Sequence, residues 1–218
     1  MIGLKYNTWD KITIPVYQEI CDIAKSGEGD DIFNNREIDI LAVLCDSDRE
    51  SLGNLLLTDY AKLAHDAQFL RKIPFYLPKD VINLGGVDYR VVVDMSKFTL
   101  AQYTEYNALR ADVSTNIAQI VACLLIPTTA KGYADGYDVG EVVKIIEAEL
   151  PYYKAYGILH FLQKAQSLSL ASTLRSEAKK MARMARMAET KAERERMRHE
   201  ARQLRKASIY LGRCLLSR

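Results

Sequence analysis

The sequence predicts a mainly α fold: a helical body with one β-hairpin and a long basic C-terminal helix. Three observations predict it. Apolar residues recur every three or four positions over most of the 218 residues. One pair of β-rich runs flanks the Gly85-Gly86 pair. After Leu174 the chain is rich in Ala, Arg, Met, Glu and Lys, and holds neither Gly nor Pro until Gly212, which is the composition of a long helix. The expected division is an acidic helical body at 1–174, with its hairpin near 81–93, and a basic helical extension at 175–218.

The elements follow in order. Thr13 is placed to cap a first helix, with Pro15 in its opening turn, where the missing N–H does least harm. Ile14, Tyr17, Cys21 and Ala24 form its apolar stripe, and Ser26-Gly27-Glu28-Gly29-Asp30 ends it. A second helix is expected over 35–45, built on Ile38, Leu41, Val43 and Leu44 and broken by Asp46-Ser47-Asp48. Thr58 is the expected cap of a third, with Tyr60, Leu63, Ala67 and Leu70 on one side and Pro74 and Pro78 beyond it. Strands at 81–84 and 89–93 surround Gly85-Gly86-Val87-Asp88, read as a turn. A lone hairpin is marginal in water, so it must lie on helices or beside another strand.

Thr99 and Gln102 have capping-box spacing and open a helix toward Arg110. From Asp112 or Ser114 another runs to Pro127; it is apolar nearly all round and is expected to be the central core helix. Asp138 and Glu141 repeat the capping-box spacing ahead of Val142, Val143, Ile145 and Ile146, and Pro151 begins the next helix. Beyond it, the stripe Leu174, Ala178, Met181, Ala185, Ala188, Ala192 steps by four and three. A second stripe, Met197, Ala201, Leu204, Ser208, Leu211, Leu215, does likewise, but the join from 192 to 197 is five. A continuous helix would therefore present two faces, or it kinks near 193–195. The first stripe is mostly alanine and buries little area, which makes a neighbour the expected means of burying it.

Charge is divided as sharply as composition. Residues 175–206 hold 12 Lys or Arg against 5 Asp or Glu, whereas 1–174 hold 16 basic and 23 acidic residues, so a formal net charge of +2 conceals a dipolar chain. A basic segment of this kind needs an anionic surface: another subunit, nucleic acid, or the acidic body of a second copy. The expected partner-binding residues are Arg175, Lys179, Lys180, Arg183, Arg186, Arg194, Arg198, Arg202, Arg205 and Lys206, with Leu204, Leu211 and Leu215 as apolar anchors. Phosphate binding would be strongly salt-dependent. Against it, 175–206 contains no aromatic side chain to stack on bases, and its acids offer local pairs such as Glu193 with Arg196 and Glu195 with His199.

No constellation announces an enzyme, and no metal or cofactor is expected. His65, His160 and His199 are far apart in sequence; His160, between Leu159 and Phe161, reads as an interior imidazole. Cys21, Cys45, Cys123 and Cys214 show no zinc spacing and no CxxC; the first three sit at helical spacing among apolar residues, as buried thiols do. Asp135-Gly136-Tyr137-Asp138 looks like half a calcium loop, but Tyr133 and Val142 stand where ligands are required. Gly85-Gly86 lacks the Lys-Ser/Thr of a phosphate loop and precedes a strand. The longest apolar run, 120–126, is far short of the roughly 20 residues of a spanning helix, and the N-terminus shows no signal-peptide core, so an intracellular site or packaging into a particle is expected.

Several segments carry a resemblance. They are Thr13-Ile14-Pro15-Val16-Tyr17, Ile-Leu-Ala-Val-Leu at 40–44, Leu-Leu-Thr-Asp-Tyr at 56–60, the Gly-Gly-x-x-Tyr-x-Val hairpin at 85–91, the junction Asp94, Thr99, Gln102, Tyr103, and Leu-Leu-Ile-Pro at 124–127. Over about 12–165 the chain resembles small helical proteins of tailed bacteriophages of gut bacteria, the crAss-like phages, of the tail assembly chaperone and virion morphogenesis type. The basic extension departs from the simple chaperone pattern. The resemblance implies a non-enzymatic protein of virion structure or assembly, as a connector, ring, tail or cargo component or as a departing chaperone. Its partners would be other phage structural proteins and copies of itself, in the host cytoplasm during assembly or in the virion, with no membrane. The alternative is a nucleic-acid-binding accessory protein using the basic helix.

Overall fold

The computed structural model describes residues 2–26, 32–188 and 190–216, with no side-chain description at 32–35 and 210–216. The chain is mainly helical with a small antiparallel sheet, and divides into two compact units. The first comprises Met1–Val92 and Ser96–Leu159; the second comprises Val93–Met95 and His160–Arg218. The division thus falls well before the change in composition at 174–175.

In the first unit, α1 (Ile14–Lys25) carries Pro15 in its opening turn; Thr13 is its N-cap by backbone position, although its hydroxyl makes no capping bond. The second helix, α2 (Ile32–Cys45), stops at Asp46, whose φ of 53° ends the helical path. A short helix not anticipated from sequence follows, α3 (Arg49–Gly53), whose N-cap Asp48 accepts from Ser51 N at 2.7 Å. That bond and the Ser51 hydroxyl hold the Asp48 carboxyl below its ordinary range. Leu56, not Thr58, is the N-cap of α4 (Leu57–Asp66), which passes into a 3-10 turn at Ala67–Arg71. Trp9 Nε1 donates to the carbonyls of Phe69 (3.0 Å) and Lys72 (2.9 Å), pinning the exit of that turn.

The hairpin is tighter than expected. Strands β1 (Val81–Leu84) and β2 (Val87–Val91) pair with Leu84 opposite Val87, so the turn is Gly85-Gly86 alone. Both glycines take positive φ, 58° and 76°, as a type I′ turn requires. Gly85 N donates to Glu149 Oε2 at 2.7 Å, tying the turn to α7 (Val139–Glu149). The hairpin's second neighbour is a third strand, β3 (Leu125–Pro127), antiparallel to β2 in the order β1-β2-β3. Sequence periodicity placed those residues at the end of a helix. Pro127 disfavours helical backbone at the residue before it, and the chain turns extended at Leu125 (φ −107°, ψ 113°).

The helix preceding β3, α6 (Ile117–Leu124), is the core helix expected: Ile117, Ala118 and all of 120–124 are buried. The helix α5 (Leu100–Leu109) begins with the complete Thr99/Gln102 capping box. Gln102 is fully buried, and its Nε2 donates to the carbonyl of Cys123 at 2.6 Å. One side chain therefore closes the start of α5 and satisfies a buried carbonyl in the last turn of α6. At α7 the box is incomplete: Asp138 accepts from Gly140 N, while Glu141 pairs with Lys144. Ile12, Ile14, Leu41, Leu44, Ile146, Leu150 and Ile158 complete the core, and Tyr17 stacks on Tyr152 with centroids 3.5 Å apart.

Long C-terminal helices are present: α8 (Tyr152–Met187) runs through both units, and α9 (Lys191–Leu216) follows it. The break falls between Met187 and Lys191, earlier than the kink expected at 193–195. Thr190 caps the new helix, its Oγ1 accepting from Glu193 N at 3.2 Å. Within the second unit α9 returns along α8. Ser208 Oγ donates to the carbonyl of Ala171 at 3.0 Å and accepts from Arg175 Nε at 2.9 Å, while Arg194 Nε donates to the carbonyl of Ala188 at 2.9 Å. Contacts of 171 with 208 and of 188 with 194 require antiparallel helices.

The seam of this hairpin is the two out-of-phase stripes turned toward each other. Ala171, Leu174, Ala178, Met181 and Ala185 on α8, with Ala188 just past its end, are buried or half-buried, as are Met197, Ala201, Leu204 and Ser208 on α9, in alternating steps of three and four. The chain reverses before the five-residue join, between Met187 and Lys191, and Ala192, the last member of the first stripe, is exposed in the first turn of α9. Most of the alanine stripe is therefore covered within the chain itself, and the expectation that it needs a neighbour is corrected.

Candidate partner-binding groove

Covering the seam leaves the charge outside. On one side of the hairpin lies a groove of about 990 Å³ between α8 and α9. Arg175, Lys179 and Arg186 line it from α8, and Arg198, Arg202 and Arg205 from α9. Ala178, Ala182, Ala201, Ser208 and Ile209 complete the described lining, in which no carboxylate takes part. The spacing explains the convergence. Positions 175, 179 and 186, like 198, 202 and 205, step by four and seven or three, so each set forms one row along its helix.

Six of the expected partner-binding cations are thus brought together. Lys180, Arg183, Arg194 and Lys206 are not among the residues that line the groove. Leu204 is half-buried in the seam. Leu211 and Leu215 lie in α9, but their side chains fall outside those described. Sequence reading missed Ala182 and Ile209, which fit neither stripe. The only available signal was that Ala182 lies four residues after Ala178 and three after Lys179.

A shallower depression of about 650 Å³ carries both signs: Glu195 and Glu200 with Arg196, Arg198, His199 and Arg202. Here Arg196 Nε meets Glu200 Oε1 at 3.3 Å, an exposed pair that contributes little to stability, and His199 bonds Gln203. The six cations line a groove with no acid among its described residues, while Arg198 and Arg202 also border the depression that holds Glu195 and Glu200.

In the first unit Tyr133 donates its hydroxyl to Glu105 Oε2 at 2.5 Å and lies 3.6 Å from Cys123 Sγ. Burial pushes the Cys123 thiol up to about 11, so it is protonated at neutral pH. Cys45 is buried and Cys21 half-buried, both as free thiols. His160 is half-buried, and His65 and His199 are exposed. Among the described residues no three His, Cys, Asp or Glu side chains are grouped to hold a metal ion, and no helix is long and apolar enough to cross a membrane. No family model matches the chain, and no curated protein or solved structure matches it.

Proposed function

We propose that this chain is a non-enzymatic protein of a tailed phage that acts in virion structure or assembly by protein–protein contact. Its C-terminal hairpin is the capturing element and an anionic surface of another phage protein is its partner. The observation that carries the proposal is the groove with six cations along its two walls and no acid among its described residues. With most of the alanine seam covered internally, the positive walls of the groove still call for an anionic surface, and a partner protein supplies it. Residence in the particle as a connector, ring, tail or cargo component, and transient action as an assembly chaperone, use the same surface. Assembly with further copies of the chain belongs to the same reading.

A second reading, a nucleic-acid-binding accessory protein, is favoured by the same six cations. Titration of the full chain with duplex DNA separates the two. Protein–protein function predicts binding no tighter than the non-specific range of about 10⁻⁴–10⁻⁶ M at physiological salt. Tight binding with a steep salt slope would establish the nucleic-acid reading instead. Mass spectrometry of purified particles distinguishes a resident component from a departing chaperone.

A further inference from the structure

The cations of the groove stand on its two sides, and the surface between them is apolar and small. Arg175, Lys179 and Arg186 form one wall and Arg198, Arg202 and Arg205 the other, with Ala178, Ala182 and Ala201 as a floor. A site for phosphates alone has no use for such a floor, because phosphate contacts are polar and need only the cations. Base stacking has no platform among the described lining residues, none of which is aromatic. An extended acidic segment would satisfy the walls and leave the alanines uncovered.

A third helix satisfies both. Two helices packed along a seam of threes and fours present an outer groove parallel to that seam, and a third helix lies in such a groove with its a and d side chains on the floor and its e and g side chains over the walls. Alanines keep the floor low, so large a and d residues can enter. Walls of uniform positive charge select acidic e and g residues and reject basic ones. A second copy of this hairpin brings like charges to the groove and is disfavoured.

From this we infer that the groove is the receptor for an acidic amphipathic helix of a partner protein: leucine-like residues at a and d, Glu or Asp at e and g. This rests on the protein–protein reading above and specifies the partner surface. The walls extend over Arg175 to Arg186, which at about 1.5 Å per residue is roughly 16 Å of helix, or three turns of the partner.

The test is fluorescence anisotropy on the full chain with four probes: a 21-residue capped peptide with Leu at a and d and Glu at e and g, the same peptide with Lys at e and g, a polyglutamate of equal length, and a 21-base-pair DNA duplex. The Glu-flanked helix is expected to bind at least about tenfold more tightly than polyglutamate, a difference of about 1.4 kcal/mol, and the Lys-flanked helix not at all. Lys179→Glu with Arg202→Glu, at two exposed positions, is expected to weaken the acidic helix at least about tenfold, and the milder Lys179→Gln with Arg202→Gln to weaken it less. Ala182→Trp, also at an exposed position, is expected to weaken helix binding while leaving polyglutamate and duplex binding unchanged.

Polyglutamate binding as tightly as the helix, or indifference to Ala182→Trp, overturns the proposal. If the chain still co-purifies with particle proteins in that event, the wider protein–protein reading stands without it. Duplex DNA binding more tightly than every peptide at the same salt overturns both. Self-association of the chain that disappears in the Lys179→Glu, Arg202→Glu variant assigns the groove to a second copy and also overturns the proposal.

Discussion

Gly157→Ala is expected to destabilise the first unit, although alanine is the better helix former. Gly157 lies inside α8, where replacing glycine by alanine ordinarily gains about 1 kcal/mol. Here a Cβ would stand 2.7 Å from the carbonyl oxygen of Tyr76 and 2.9 Å from that residue's Cβ and Cδ1. The obstacle is backbone, so it cannot be relieved by a rotamer change. Overpacking of this kind costs about 1–3 kcal/mol, and against backbone the upper part of that range applies, so it outweighs the helical gain and leaves a net loss of up to about 2 kcal/mol. Tyr76 also meets the Tyr153 ring edge-on with centroids 5.9 Å apart, so the segment on either side of it should loosen first. Urea unfolding measures the global effect, and hydrogen exchange at 72–79 the local one. An unchanged midpoint with unchanged protection would show that the extended segment does not press on α8 as described.

Gln102→Leu is expected to have the larger effect, a loss of about 2–4 kcal/mol. The change preserves bulk but removes both functions of the amide. Thr99 N loses its acceptor at 3.3 Å, and the Cys123 carbonyl loses its donor. An unsatisfied buried acceptor costs about 1–3 kcal/mol and a lost cap about 1 kcal/mol. Gln102→Glu separates the two terms, since a carboxylate still accepts from Thr99 N but faces the Cys123 carbonyl without a proton. Burial and that carbonyl raise its folded-state pKa above the unfolded value. The folded variant then binds more protons than the unfolded one, so its stability falls as pH rises through that interval and recovers below it. A pH-independent Gln102→Glu deficit would contradict the assigned hydrogen bond to Cys123.

Local rules carried much of the first unit. Capping chemistry at Thr99, the proline at the start of α1 and the apolar perimeter of α6 each act within a few residues, and each can be read directly from the chain. Longer-range competition was less visible. Residues 120–127 are apolar without interruption, so periodicity extended a helix through β3, whereas pairing with β2 and the presence of Pro127 decided for strand. The short helix α3 rests on the Asp48 cap and a single buried leucine, Leu52, too little for a periodic signal.

The C-terminal segment shows the same limit. Its two stripes and their five-residue mismatch were legible, and so was the excess of basic residues. Thr190 and Glu193 stand at capping-box spacing at the break, but the phase mismatch between 192 and 197 placed the expected kink beyond it. Which cations converge could not be read, because it depends on the phase of α9 against α8 after the reversal. Arg183 and Arg186 are chemically alike and three residues apart, yet only Arg186 lines the groove.

The most direct test of the self-closed basic hairpin is the distance between spin labels at Thr173 and Ala207, both exposed, attached through genetically encoded ketone side chains and read by pulsed electron resonance after dilution with unlabelled chain. The antiparallel hairpin places these positions side by side, with helix axes about 8–10 Å apart and a label-to-label distance below about 20 Å that survives dilution. One continuous helix would separate them by about 50 Å at 1.5 Å per residue. That long distance, or a short one that vanishes on dilution, would contradict the internal closure of the alanine seam and return the burial of that seam to a neighbouring molecule.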